Sequence, residues 1–97
     1  MAAYNPEQDK VLATLLVAST TPTEETRVRV RRYDSPEGAP GEEKLEVSRW
    51  RRLKSGGLKP KAGIRLTRIE AAALAAALLE VPYEEITLTE GWGITVR

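Results

Sequence analysis

The sequence predicts an α+β fold: extended segments first, then one helix, then a C-terminal hairpin. Three observations carry this. "RVRVRRY" (27–33) alternates with period two, as a strand does. "DSPEGAPGEE" (34–43) places Pro and Gly where a chain turns, ahead of a second extended run. Thr67-Arg68-Ile69-Glu70 is a capping box leading into "AAALAAALL", a run of high helix propensity.

Taken in order, residues 1–10 read as a loose polar arm. "VLATLLVAST" (11–20) has two readings. Asn5 as N-cap with Pro6 at the first position would open a helix; alternatively 12–19 is a strand buried on both faces. Short apolar runs are not settled by periodicity, and the strand is favoured because "TTPTEE" (20–25) then connects into the arginine strand. That strand puts Arg27, Arg29, Arg31 and Tyr33 on one face and Val28 and Val30 on the other. A third strand, "KLEVSRWRRL" (44–53), sets Lys44, Glu46, Ser48, Trp50 and Arg52 against Leu45, Val47, Arg49, Arg51 and Leu53. A basic, glycine-containing loop (54–63) leads to a short fourth strand (64–67), with Arg65 outward. Pro82 stops the helix, and "ITLTEGWGITVR" (86–97) reads as a hairpin turning near Glu90-Gly91. All of this fits one domain spanning 1–97.

Composition limits the function classes. The chain has no histidine and no cysteine, so it lacks the commonest general base, the commonest metal ligand and all thiol chemistry. No nucleophile–base pair or metal set can be named, and the expectation is a protein without catalysis, metal or cofactor. No apolar run approaches the ~18 residues of a membrane span and no signal peptide is read. The expected location is the cytoplasm, with nucleoid association. The net charge is only +1, but residues 27–68 carry +8 and the remainder −7, so a basic middle sits between acidic ends. A basic middle points to a polyanionic partner; a solvated charged surface is the plainer reading.

Side by side, the second and third strands combine Arg27, Arg29, Arg31, Tyr33, Trp50 and Arg52, with Arg65 from the fourth strand and Lys54, Lys59 and Lys61 between. Rings among cations suit single-stranded nucleic acid: bases stack, guanidiniums meet phosphates, and duplex bases are out of reach. The alternatives for Trp50 are a cation–π lid over the arginines or plain core. Between Ala71 and Leu79 the helix has no polar residue, whereas a surface helix normally keeps one polar face. Its second side therefore meets a second copy of the chain, through Leu74, Ala75, Leu78 and Leu79, or is covered by residues 86–97.

"VRVRRYD", "KLEVSRWRRL" and "KPKAGIRLTRIEAAALAAALL" together resemble the transcriptional positive cofactor four family of single-stranded-DNA-binding coactivators, in its small bacterial form. The likeness covers residues ~12–81. It implies a curved four-stranded antiparallel sheet with a C-terminal helix, helix-mediated homodimers, and a concave basic face for single-stranded DNA. Tyr33 and Trp50 match the aromatics that end the second and third strands. Lys59 and Lys61 match the basic loop before Gly63-Ile64. The chain departs from the pattern at Glu46-Val47-Ser48, where the family has Asp-Ile-Arg, so that Arg49, Arg51 or Arg52 would have to stand in for the missing arginine. It departs again at Arg65, where the family has Ser or Thr, and in a loop one residue shorter. Residues 82–97 lie outside the likeness. The expected function is binding of single-stranded DNA with little sequence preference, in transcription, replication or repair, with the transcription machinery as a possible partner. The alternatives are a protein-interaction or transcription-cofactor module and an RNA-binding protein.

Overall fold

The computed structural model describes residues 3–97, apart from the side chain of Thr20. Contacts group the chain into two compact units, Met1–Arg65 and Leu66–Arg97. The helix and the C-terminal hairpin fall together in the second unit.

The first unit is built on β1 (Asp9–Thr21), β2 (Glu24–Tyr33), β3 (Glu43–Arg52) and β4 (Leu58–Leu66), a four-stranded antiparallel sheet in the order β1-β2-β3-β4. All four strands are longer than or offset from their expected limits, β4 most of all: residues 58–63 of the segment read as a basic loop are strand.

Both readings of the N-terminal region are partly realised. Asn5 caps a single 3-10 turn, Pro6–Gln8, with its side chain accepting from the Glu7 N–H. The chain then enters β1. Of the arm read as loose, Met1 and Ala2 lie outside the described residues. Residues 4–10 are held by specific contacts: the Gln8 side-chain amide donates to the Asp34 carbonyl, and the Asp34 N–H to the Gln8 carbonyl.

β1 shows why "VLATLLV" gives no clean period. Its register against β2 shifts between Val11 and Ala13, between Thr14 and Leu16, and between Ser19 and Thr21. Each shift inserts an extra residue and bends the strand. Val11, Thr14 and Val17 thus stand opposite Arg31, Arg29 and Arg27, while Ala13 and Leu16 stand opposite Val30 and Val28. A spacing of three along one face imitates a helix. The strand is not buried on both faces, as expected from its composition: Val11, Leu12, Leu15, Leu16 and Val17 are 40–55% exposed. β1 lies at the sheet edge with one strand neighbour, so the chain's own sheet covers it on one flank only.

A two-residue turn, Pro22-Thr23, joins β1 to β2, with Thr21 Oγ1 accepting from the Thr23 and Glu24 N–H groups. The longer 34–42 connection folds back on β2, where a Cβ at Gly41 would lie 2.0 Å from the Tyr33 carbonyl oxygen. No residue but glycine fits so close an approach.

In the second unit, α1 (Arg68–Leu79) opens on the expected capping box: Thr67 Oγ1 accepts from the Glu70 N–H at 3.2 Å, and Glu70 Oε1 accepts from the Thr67 N–H at 2.9 Å. Glu80 ends it in the left-handed conformation, φ +56°. A 3-10 turn, Tyr83–Glu85, leads to β5 (Ile86–Leu88) and β6 (Ile94–Val96), a hairpin. The helix packs against β5 and the 3-10 turn. Ala71, Ala72, Ala75 and Ala76 form its buried stripe, while Ile69, Leu74, Leu78 and Leu79 are exposed. Ala75, expected at a dimer interface, is therefore on the buried side. Arg68 ties helix to hairpin: its guanidinium donates to the Thr89 and Glu90 carbonyls, both at 3.0 Å, and lies 4.5 Å from the Trp92 ring. Trp92 is 6% exposed and takes φ +66°. Among the described residues, no helix is long and apolar enough to cross a membrane.

Candidate nucleic-acid interface

Strand pleating and register assemble one chemically dense sheet face. Cross-strand pairing sets Arg29 opposite Glu46, Arg27 opposite Ser48, Arg31 opposite Lys44 and Glu25 opposite Trp50. From β1, Asp9 stands opposite Tyr33. Directly opposed residues share a face, so the arginine row of β2 meets carboxylates from both neighbouring strands.

The guanidiniums are used inside the protein. Arg29 donates from Nε (2.9 Å) and Nη2 (2.6 Å) to Glu46 Oε1. Arg31 bridges Asp9 at 2.8 Å and Glu46 at 3.3 Å. Arg65 reaches across from β4 and holds Asp9 with both Nη atoms, at 3.1 and 2.7 Å, and approaches Glu46 at 3.5 Å. Arg27 pairs with Glu25 at 2.6 Å, and Arg52 comes within 3.9 Å of the same carboxylate. This revises the expected row of free guanidiniums on a wet face: the Arg29 and Arg31 side chains are each only 11% exposed. Bare guanidiniums at β spacing would repel, and interleaved carboxylates offset that repulsion through forked hydrogen bonds.

Asp9 is the most buried acid of the network, its side chain 1% exposed. Burial pushes its carboxyl up. The hydrogen bonds from Arg65 and Tyr4, with the Arg31 charge, outweigh burial and hold it below the usual carboxylate range. The Arg65 guanidinium is raised in turn by its hydrogen bond to Asp9. Tyr4 donates its hydroxyl to Asp9 Oδ2 at 2.5 Å, and this bond raises the phenol.

The rings lie on the same face. Trp50 donates its indole N–H to Ser48 Oγ at 2.9 Å, and the Arg27 and Arg29 guanidinium carbons stand 4.9 and 5.1 Å from its ring centre. The cation–π reading of Trp50 is thus realised in geometry. Tyr33 stacks on Tyr4, centroids 5.6 Å apart and 25° between planes, and its hydroxyl accepts from the Asn5 N–H. A groove of about 420 Å³ is lined by Tyr4 and Trp50 and by Arg29, Arg31, Lys61 and Arg65.

The remaining expected site residues are more scattered. Lys61 lines the groove and bridges to Glu24 at 2.7 Å, which holds the Glu24 carboxyl low. Arg52 is at the rim, half exposed. Lys54, in the turn after β3, and Lys59, in β4, are exposed and do not line the groove. Alternation separates the three arginines named as stand-ins at Ser48. Arg49 and Arg51 lie on the opposite face, where their charges act on Glu24; Arg52 shares the face with Trp50. Ser48 itself is buried, with Gly63 so close that a Cβ there would stand 3.3 Å from the Ser48 Cβ.

Sequence reasoning missed Asp9, Glu25 and Tyr4 as parts of this face. Glu46 was placed on the right face, but its partners depend on register. Asp9 and Tyr4 belong to the segment read as a loose arm. Comparison with protein-family models, curated proteins and solved structures finds no match to this chain.

Proposed function

We propose that the arginine-bearing sheet face binds single-stranded nucleic acid, DNA in preference to RNA, with little dependence on sequence. The observation that carries this reading is the groove in which Tyr4 and Trp50 share a lining with Arg29, Arg31, Lys61 and Arg65. Each base stacked on an aromatic ring contributes about 1–3 kcal/mol whatever its identity. Three arginines (29, 31 and 65) share two carboxylates, Asp9 and Glu46, so the cluster keeps a positive charge. The network also holds the guanidiniums in place before a strand arrives, which lowers the ordering cost of binding. The resemblance to the positive cofactor four coactivators supports the same reading, and we extend it to membership of that family. On this reading the protein is a non-catalytic helper of transcription, replication or repair at the bacterial nucleoid.

A second copy of the chain is the proposed partner for the exposed leucines of α1. Large apolar side chains exposed together mark interaction surfaces, and Leu74, Leu78 and Leu79 stand exposed on one short helix. An exposed apolar β1 also leaves room for a protein-interaction role.

The deciding experiment is tryptophan quenching in a Trp92→Phe background, titrated with oligo-dT, its RNA counterpart and duplex across salt. Single-strand binding with log affinity falling about 0.7 per neutralised phosphate against log salt supports the proposal. Equal binding of the RNA strand moves the assignment to RNA, since the 2′-OH is the consistent difference. No binding at low salt leaves the protein-interaction reading.

A further inference from the structure

We propose a phosphate seat at the Tyr33 end of the sheet face, formed by Arg31, Lys44 and Arg65; it rests on the nucleic-acid reading above and adds a residue and a ligand group to it. A pocket of about 220 Å³ is lined by Arg31, Tyr33, Glu42, Lys44 and Arg65. It is separate from the Trp50 groove, with which it shares Arg31 and Arg65.

Two observations identify its ligand as an anion. Arg31 and Lys44 stand directly opposite each other across β2 and β3. Like charges in that position destabilise a sheet. The carboxylates that could relieve them, Asp9 and Glu46, already serve Arg29, Arg31 and Arg65. Glu42 is the one carboxylate lining the pocket, against three cations. Second, the lining as a whole is short of acceptors, with the Arg31, Lys44 and Arg65 cations outnumbering Glu42. A phosphate group answers both: it brings negative charge and several acceptor oxygens, which forked guanidiniums and a point-charge ammonium bind together.

Tyr33 gives the seat its direction. Its ring lines the same pocket, so the base attached to a seated phosphate meets the Tyr33–Tyr4 stack. One nucleotide would then be held at both ends, phosphate by the cations and base by the rings. The same chemistry would accept a free phosphate, and the test separates the two sources.

The test is an amide-resolved NMR titration of the full chain with inorganic phosphate, thymidine monophosphate and unphosphorylated oligo-dT, for the wild type, Lys44→Gln and Lys44→Arg. The expected result is saturable shifts at Tyr33, Lys44 and Arg65 with all three probes, lost in Lys44→Gln for the two small probes and kept in Lys44→Arg. Oligo-dT affinity falls about tenfold in Lys44→Gln, the scale of one charge-assisted contact, and the salt slope drops by about 0.7. If phosphate and thymidine monophosphate leave these amides unmoved, and Lys44→Gln keeps wild-type affinity and slope, the seat is overturned, while a Trp50→Ala defect would leave the nucleic-acid reading standing. Shifts with the two small probes but none with oligo-dT would support the seat as a free-phosphate site and overturn the nucleic-acid reading.

Discussion

Arg29 and Glu46 stand directly opposite each other on β2 and β3, with Arg29 Nη2 2.6 Å from Glu46 Oε1. Glu46 also lies within 3.3 Å of Arg31 and 3.5 Å of Arg65. One carboxylate is thus the common counter-ion of three guanidiniums drawn from β2 and β4. The basic face exists as a folded surface because acids are built into it.

Glu46→Gln should therefore destabilise the fold by about 3–5 kcal/mol, the cost of removing one partner from a buried ion pair. Urea unfolding measures it. The same variant should bind oligo-dT with a steeper salt dependence, because the freed guanidiniums become available to phosphates. Unchanged stability would show that the network does not hold the sheet together.

Asp9 sets a pH dependence. Its folded value lies below that of an unfolded aspartate, about 3.9. Its contribution is therefore present above the unfolded value and is lost as pH falls through the folded one. The unfolding free energy should hold steady from neutral pH to about 5 and decline below about 4. Glu24 and Asp34, also held low by their partners Lys61 and Arg32, act in the same direction. Asp9→Asn isolates one share: it should be less stable at pH 7, with a smaller decline in acid. An identical acid limb in the variant would remove Asp9 from the account.

Ring and charge can be told apart on the proposed interface. Trp50→Ala should weaken oligo-dT binding by about 1–3 kcal/mol and leave the salt slope nearly unchanged. Arg29→Ala should weaken binding to every sequence and lower the slope. If neither variant changes affinity, the assignment of this face is wrong.

Leu74→Glu tests the second copy. Leu74 is exposed in the single chain, so the substitution should leave thermal stability of a monomer nearly unaffected. Sedimentation should show dimers for the wild type and monomers for the variant. A variant that remains dimeric would exclude this helix face.

Arg68→Ala addresses the second unit. Loss of two charge-assisted bonds to the Thr89 and Glu90 carbonyls should cost about 1.5–3 kcal/mol per bond at most. The Trp92 emission, followed in a Trp50→Phe background, should shift to the red as the hairpin loosens. An unchanged spectrum would mean that the hairpin holds its turn without Arg68.

Local signals in the sequence determined most of the elements. The capping box at Thr67 and Glu70, the helix stop ahead of Pro82, the alternation of β2 and the C-terminal hairpin each depend on residues within a few positions of one another, and each formed where those residues predict. Strand period alone puts Arg27, Arg29, Arg31 and Tyr33 on one side of β2 and Trp50 with Glu46 and Ser48 on one side of β3. Tertiary structure decided what that face is. Asp9 and Arg65 are 56 positions apart, and Arg29 and Glu46 are 17 apart. Their pairing depends on the order and register of strands, including three bulges in β1 that no local pattern records. Side-chain period is a property of one strand, whereas charge neutralisation belongs to neighbours brought together by folding. For that reason a row that reads in the sequence as bare guanidiniums is, in the folded protein, a partly neutralised and fixed network.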